Sequence, residues 1–159
     1  MTELLIIKPS SLGDIVHALQ VATSLKAQVN HLRISWVVRE IFAPIVRACV
    51  AVDQVYVFER NAGAKGFIRL TKELRKKTFD YVFDMQGLLR TGLMTSRVHA
   101  AKKVGRADAR ELSRIFYNQK VALPENGKNS HALGYLAAIL SGAGRQAGAE
   151  RQSGISGSR

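Results

Sequence analysis

The chain has 159 residues, 47% hydrophobic and 23% charged, with 24 Lys and Arg against 12 Asp and Glu for a formal charge of +12. This is enough length and apolar material for one domain with a sizeable core, which excludes an intrinsically disordered chain. The lone Cys49 excludes an intramolecular disulfide or a cysteine-cluster zinc site, and no apolar run approaches the roughly 20 residues of a membrane span. Positive charge in such excess points to an anionic partner. Nucleic acid, an acidic lipid surface and a phosphorylated small molecule all meet that condition.

Leu4-Leu5-Ile6-Ile7 is a continuous apolar run that stops at Lys8-Pro9-Ser10-Ser11, the pattern of a strand buried on both faces of a parallel sheet. Glu3 before it and Lys8 after it break the pattern of a secretory signal, so a cytoplasmic chain is expected. Ile15, Leu19, Ala22 and Leu25 follow at helical spacing, with Ser10 or Ser11 as N-cap. Leu32 to Val38, rich in β-branched and aromatic residues, reads as a second strand. A helix is predicted over 40–50, with Pro44 limiting its first turn. Val55 to Phe58 is a third strand; Gly63 and Gly66 then bracket a basic loop, and Phe67, Leu70 and Leu74 line a helix. Tyr81 to Phe83 is a fourth strand ending at Asp84, followed by a helix through Leu88, Leu89, Leu93 and Met94 and a short fifth strand at Lys103 to Gly105.

This alternation predicts an α/β fold with a doubly wound parallel sheet, because each strand needs a crossover helix to return parallel. Its central strand contains Leu5 and Ile7. Further helices are predicted over 109–117 and 131–140. After Ser141 the composition turns to Gly, Ser, Gln and Arg with an isolated Ile155. Such a segment cannot offset its ordering entropy, so the folded domain is expected over 1–141 and a disordered tail over 142–159.

The sharpest chemical feature is Lys8-Pro9-Ser10-Ser11-Leu12-Gly13-Asp14-Ile15-Val16-His17, at the carboxyl end of the first strand, where open α/β sheets place ligands. A helix N-terminus there favours anions. Gly13 lets the backbone approach a ligand closely, and Asp14 supplies an ionised carboxylate in the first turn. The plainer reading is that Asp14 only satisfies the helix dipole and the serines only cap. No G-x-G-x-x-G follows the strand and no P-loop occurs, so no dinucleotide cofactor is expected. His31, His99 and His131 lack the spacing with acids that a metal site needs, and no metal is expected. Asp84 is read as binding backbone N–H groups in its turn, Cys49 as a small core residue, and His17 as a neighbour of Asp14 one helical turn away. Arg69, Lys72, Arg75, Lys76 and Lys77 share one amphipathic helix, a solvated face or one that rests on an anionic membrane.

Four segments together resemble a known family. Lys8 to His17 is similar to the N-terminal signature of the family 9 glycosyltransferases, the bacterial heptosyltransferases of lipopolysaccharide core synthesis. Trp36-Val37-Val38-Arg39-Glu40 resembles that family's second-strand end, Asp84-Met85-Gln86-Gly87-Leu88-Leu89 its D-x-Q-G-L turn, and Ala109-Arg110-Glu111 with Phe116-Tyr117-Asn118 its A-R-E…F-Y-N segment. The match runs over residues 3 to about 140 and is most like the heptosyltransferase I subgroup. It implies the Rossmann-like N-terminal half of a GT-B glycosyltransferase, which holds the acceptor while a second domain holds the nucleotide sugar. That donor domain is expected to be absent from this chain, through truncation, a frameshift or intentional shortening.

The resemblance further implies a direct, inverting, metal-independent displacement. In it Asp14 takes the proton of the acceptor hydroxyl that attacks the anomeric carbon of ADP-heptose. It places acceptor binding at Lys8, Ser10, Ser11 and Gly13, and at Arg60, Lys65 and Arg110. The implied partner is the anionic lipopolysaccharide core, reached at the cytoplasmic face of the inner membrane, with no specific nucleic acid. The 159-residue chain alone is expected to be inactive. Two other readings stand beside this one: a basic α/β module that binds nucleic acid, and an inactive truncated remnant.

Overall fold

In the computed structural model, which describes residues 1–106 and 113–121, six strands lie parallel in one sheet. They are β1 (Thr2–Ile7), β2 (Leu32–Arg39), β3 (Gln54–Phe58), β4 (Thr78–Asp84), β5 (His99–Arg106) and β6 (Gln119–Val121). Their order across the sheet is β3-β2-β1-β4-β5-β6. The chain therefore builds outward from β1 to β3, then crosses back to lay β4 on the free side of β1. Leu4 stands opposite Ile34 on one neighbour and Tyr81 on the other. The central place of Leu5 and Ile7 agrees with their continuous apolar run.

Alternation along β1 divides the core in two. Leu4 and Ile6, with Ile34, Trp36 and Phe83, face helix α1 (Leu12–Gln28) and helix α2 (Ala43–Arg47). Leu5 and Ile7, with Val37, Phe58 and Val82, face helix α3 (Gly63–Leu74) and helix α4 (Leu89–Arg97). α1 buries Ile15, Ala18, Ala22 and Leu25, one stripe at helical period. The four β1 side chains Leu4 to Ile7 are fully enclosed, and burying each contributes about 1.5–3 kcal/mol.

The structure corrects several boundaries. The helix expected over 40–50 is a 3-10 turn at Glu40–Phe42 followed by the short α2. Pro44 is tolerated only in a first turn, so the helix restarts there, and Val50, 92% exposed, adds no packing to prolong it. The Gly63–Gly66 segment is not a loop but the first turn of α3. A Cβ at Gly66 would lie 2.7 Å from the Ala62 Cβ, so this glycine permits a close approach and does not break the helix. Within the predicted 109–117 helix, Ser113–Phe116 is a 3-10 turn and Tyr117 lies beyond it. β6 follows, a strand too short and polar to stand out in the sequence. The expected 131–140 helix and 142–159 tail lie outside the described residues.

Candidate functional site

The reversal of strand order between β1 and β4 opens a crevice at their carboxyl ends, the general ligand position of open α/β sheets. Three backbone bonds prolong the pairing past the strands and stack the loops: Lys8 N to Val37 O (3.2 Å), Arg39 N to Pro9 O (3.2 Å) and Met85 N to Ile7 O (3.1 Å). Trp36, wholly buried, donates its indole N–H to Lys8 O at 3.3 Å and ties β2 to the end of β1.

Lys8 turns inward. Its side chain is 4% exposed, and its ammonium lies 3.4 Å from Asp14 Oδ2 while donating to Gln86 Oε1 at 3.3 Å. Ser11 occupies the N-cap position of α1, yet its hydroxyl donates to Asp14 Oδ2 at 3.1 Å and caps no backbone N–H. The expectation of a serine cap is thus replaced by a serine that steadies the carboxylate. Lys8, expected as a ligand for acceptor anions, is committed to Asp14 and Gln86. Asp14 keeps half of its side chain in solvent. Partial burial pushes its carboxyl up, but the Lys8 ammonium and the hydrogen bonds from Ser11 and Lys8 outweigh this and hold it below the ordinary range. The arrangement is an ionised carboxylate, fixed on one side and open on the other, able to accept a hydrogen bond and then a proton from a hydroxyl. A Cβ at Gly13 would meet nothing within 4 Å, so the fold itself does not demand glycine there. His17 is exposed on the same helix.

Asp84 fulfils the role read for it. Its Oδ1 accepts from the N–H groups of Gln86 (2.9 Å) and Gly87 (3.1 Å), and its Oδ2 accepts from the Tyr117 hydroxyl at 2.6 Å. Gly87 has φ +71°, which favours glycine, and its carbonyl accepts from Ser113 Oγ at 3.0 Å. The turn so fixed aims Gln86 at Lys8. Asp84 is fully buried, and desolvation raises its carboxyl above the ordinary value despite these donors.

Beside this crevice runs a groove of about 680 Å³ that touches it at Ser10 and Gln86. Among the described residues three guanidinium groups line it: Arg39 at the end of β2, Arg60 in a 3-10 turn after β3, and Arg90 in the first turn of α4. Phe58, Phe67 and Leu93 form apolar walls, and among the described residues no carboxylate lines it. Arg39 is the register partner of Phe58, and Arg90 lies over the Phe58 ring at 5.7 Å from its centroid. Arg60 was expected in this region and is present. Lys65, expected beside it, is exposed on α3 and does not line the groove. Arg110 lies outside the described residues. Arg39, Gln86 and Arg90 carry no role in the sequence reading; the one available signal was that Arg39, two residues after Val37, shares the α3/α4 face of a buried strand. Cys49 is half-buried, 3.8 Å from Thr23 Oγ1. Among the described residues no His, Cys, Asp and Glu cluster has metal-site geometry, and no helix is long and apolar enough to cross a membrane.

Residues 67–140 match the family described as glycosyltransferase family 9 (heptosyltransferase). Over 141 residues the chain is 32% identical to lipopolysaccharide heptosyltransferase 1 of Escherichia coli, the alignment covering 81% of this chain and 42% of that protein. Its identity to lipopolysaccharide heptosyltransferase 1 of Pseudomonas aeruginosa is also 32%, covering 72% of this chain and 36% of that one. The solved structure of E. coli heptosyltransferase WaaC with ADP superposes with a TM-score of 0.76 at 29% identity, over 87% of this chain and 47% of that chain. The chain spans about two fifths of the length of the curated relatives it matches.

Proposed function

The chain carries a glycosyltransferase family 9 domain with the Rossmann-like α/β fold of a GT-B enzyme, and on that premise we propose that it is the acceptor-binding part of an inverting ADP-heptose:lipopolysaccharide heptosyltransferase, with Asp14 as catalytic base. The observation that carries this reading is the Asp14 carboxylate. It is ionised, half-exposed and held by Lys8 and Ser11 beside a groove lined by Arg39, Arg60 and Arg90. The family relatives act on lipopolysaccharide by name, and WaaC was solved with ADP and with an ADP-heptose analogue.

In this reading the anionic lipopolysaccharide core occupies the groove and presents a sugar hydroxyl to Asp14. The hydroxyl oxygen attacks the anomeric carbon as the bond to ADP breaks, which inverts that centre. The hydroxyl proton becomes acidic only as the new bond develops, and it then passes to the carboxylate. The lowered carboxyl keeps Asp14 ionised and so ready to accept that proton. Lys8 keeps Asp14 ionised and positioned, and no metal takes part. Residues 1–141 form the acceptor domain, with Ser10, Gly13 and Arg60 contacting acceptor together with Arg110, while Lys65 meets only a part of the acceptor that extends beyond the groove. ADP-heptose is held by a second domain, so the 159-residue chain binds acceptor without transferring heptose. The lipid-linked acceptor places the protein in the cytoplasm against the inner-membrane surface.

Titration calorimetry with deacylated lipopolysaccharide core, run beside a filter-binding assay with RNA at two salt concentrations, tests the reading. Saturable binding of the core with weak RNA binding that falls steeply with salt is the expected result. Tight RNA binding without core binding overturns it.

A further inference from the structure

We infer that Arg39 is a specificity-determining residue, the core of an oxyanion receptor that it forms with Arg60 and Arg90 for a phosphate or carboxylate group on the molecule whose hydroxyl meets Asp14. The identity of that molecule rests on the acceptor reading above; the receptor itself does not.

Charge and pairing carry the argument. The Arg39 Nε is buried and has no hydrogen-bond partner, a costly condition that most proteins avoid unless the group has work to do. The acids nearest in sequence are engaged elsewhere. Glu40 accepts from the backbone N–H of Arg60 at 3.3 Å, and Glu59 pairs with Arg69 at 3.4 Å. Among the described residues none of Arg39, Arg60 and Arg90 forms an ion pair. Three cations thus share a groove that, among the described residues, has no carboxylate in its lining, an arrangement that favours an entering anion.

The geometry also selects the kind of anion. Phe58 lies under the Arg90 guanidinium and is the register partner of Arg39, so one aromatic residue is common to the two cations. Preset guanidinium forks match the paired oxygens of a carboxylate or phosphate better than a flexible ammonium does. The apolar walls leave the guanidinium groups as the charged groups that the described lining offers to a ligand. Because the groove reaches Ser10 and Gln86, an oxyanion at Arg39 anchors its carrier next to the Lys8–Asp14 pair.

The test follows the Arg39 side-chain Nε–H resonance while inorganic phosphate, gluconate and deacylated lipopolysaccharide core are each titrated into the whole chain. Arg39→Met, Arg39→Lys and, as a control outside the groove, Lys72→Ala are titrated in parallel. The resonance should shift on saturation with phosphate or gluconate, and the tighter of the two identifies the group recognised. Arg39→Met should weaken that ligand and the core by about tenfold or more. Arg39→Lys should restore only part of this, and Lys72→Ala should change binding little. A purely structural Arg39 would lower the thermal midpoint when replaced. Loss of an orphaned buried donor should instead leave the midpoint of ligand-free Arg39→Met unchanged or raised.

Core binding that survives Arg39→Met overturns the receptor and leaves the acceptor reading standing. Arg39-dependent binding of phosphate or gluconate without core binding upholds the receptor and overturns that reading. Failure of the wild type to bind any of the three, or equal loss in Lys72→Ala, overturns the receptor. If Arg39→Met fails to fold, full binding by a folded Arg39→Lys does the same.

Discussion

The Tyr117 hydroxyl donates to Asp84 Oδ2 at 2.6 Å, joining the segment before β6 to the turn that carries Gln86. The other carboxylate oxygen already holds the N–H groups of Gln86 and Gly87. One buried side chain thereby fixes both the floor of the crevice and the outer side of the sheet. Gln86 in turn accepts from Lys8, which faces Asp14. The site's geometry is inherited from a residue that never reaches its surface.

Burial raises the Asp84 carboxyl in the folded protein above its value in the unfolded chain. Between those two values the folded state retains a proton that the unfolded state has released, so stability is full below the unfolded value and falls as pH rises through the folded one. Tyr117→Phe removes a donor to the charged form and should lower stability at pH 7 by roughly 1–3 kcal/mol, with a smaller loss where Asp84 is protonated. Asp84→Asn, whose amide oxygen still accepts from Gln86 and Gly87, should flatten the fall. Urea denaturation from pH 4 to 8 reads both effects.

Gly105 is required by the same contact. A Cβ there would collide with the Tyr117 ring. Gly105→Ala should therefore displace Tyr117, cost about 1–3 kcal/mol, and bring the loss of the Tyr117→Phe variant with it. A double-mutant cycle between the two should give less than the sum of the single effects.

Lys8→Met leaves Asp14 without its cation. The Asp14 carboxyl, now below the ordinary 3.8, should rise, and carbon-detected NMR titration measures the change. In the wild type this depressed value contributes stability above the unfolded value that is lost as pH falls through the folded one. Because Asp14 is half-exposed, solvent screens the pair and the stability change should stay within about 1 kcal/mol.

Heptose transfer by the 159-residue chain alone should be indistinguishable from the uncatalysed rate. Mixed with the separately expressed nucleotide-binding half of a family relative, it should gain activity if the interface forms. Asp14→Asn should abolish that activity while core affinity changes less than about tenfold. A radiolabelled-sugar transfer assay decides this.

What could be read in advance was whatever leaves a periodic or continuous trace. β1 announces its double-sided burial through four successive apolar residues, and α1 its buried stripe. Asp14 was legible because strand, turn and helix converge on it in sequence. The start of α3 was not, since Gly63 and Gly66 look like loop residues when the close approach of Ala62 is unseen. Arg39 and Arg90 resemble ordinary solvated cations, as nothing local reveals that both neighbour Phe58. The pairing of Lys8 with Gln86 leaves no trace in the sequence, because the two lie 78 positions apart.

The strand order also sets a schedule for the nascent polypeptide. β1 and β2 can pair once residues near Val37 have left the ribosome, but the second neighbour of β1 begins only at Thr78. Closing a loop of that span carries an entropic penalty that local pairing does not, and parallel sheets rich in such contacts fold slowly. Until then one edge of β1, whose side chains are among the most apolar in the chain, is uncovered during synthesis. The charged flanks Glu3 and Lys8 bound that edge, and charges so placed discourage edge-to-edge association of newly made chains.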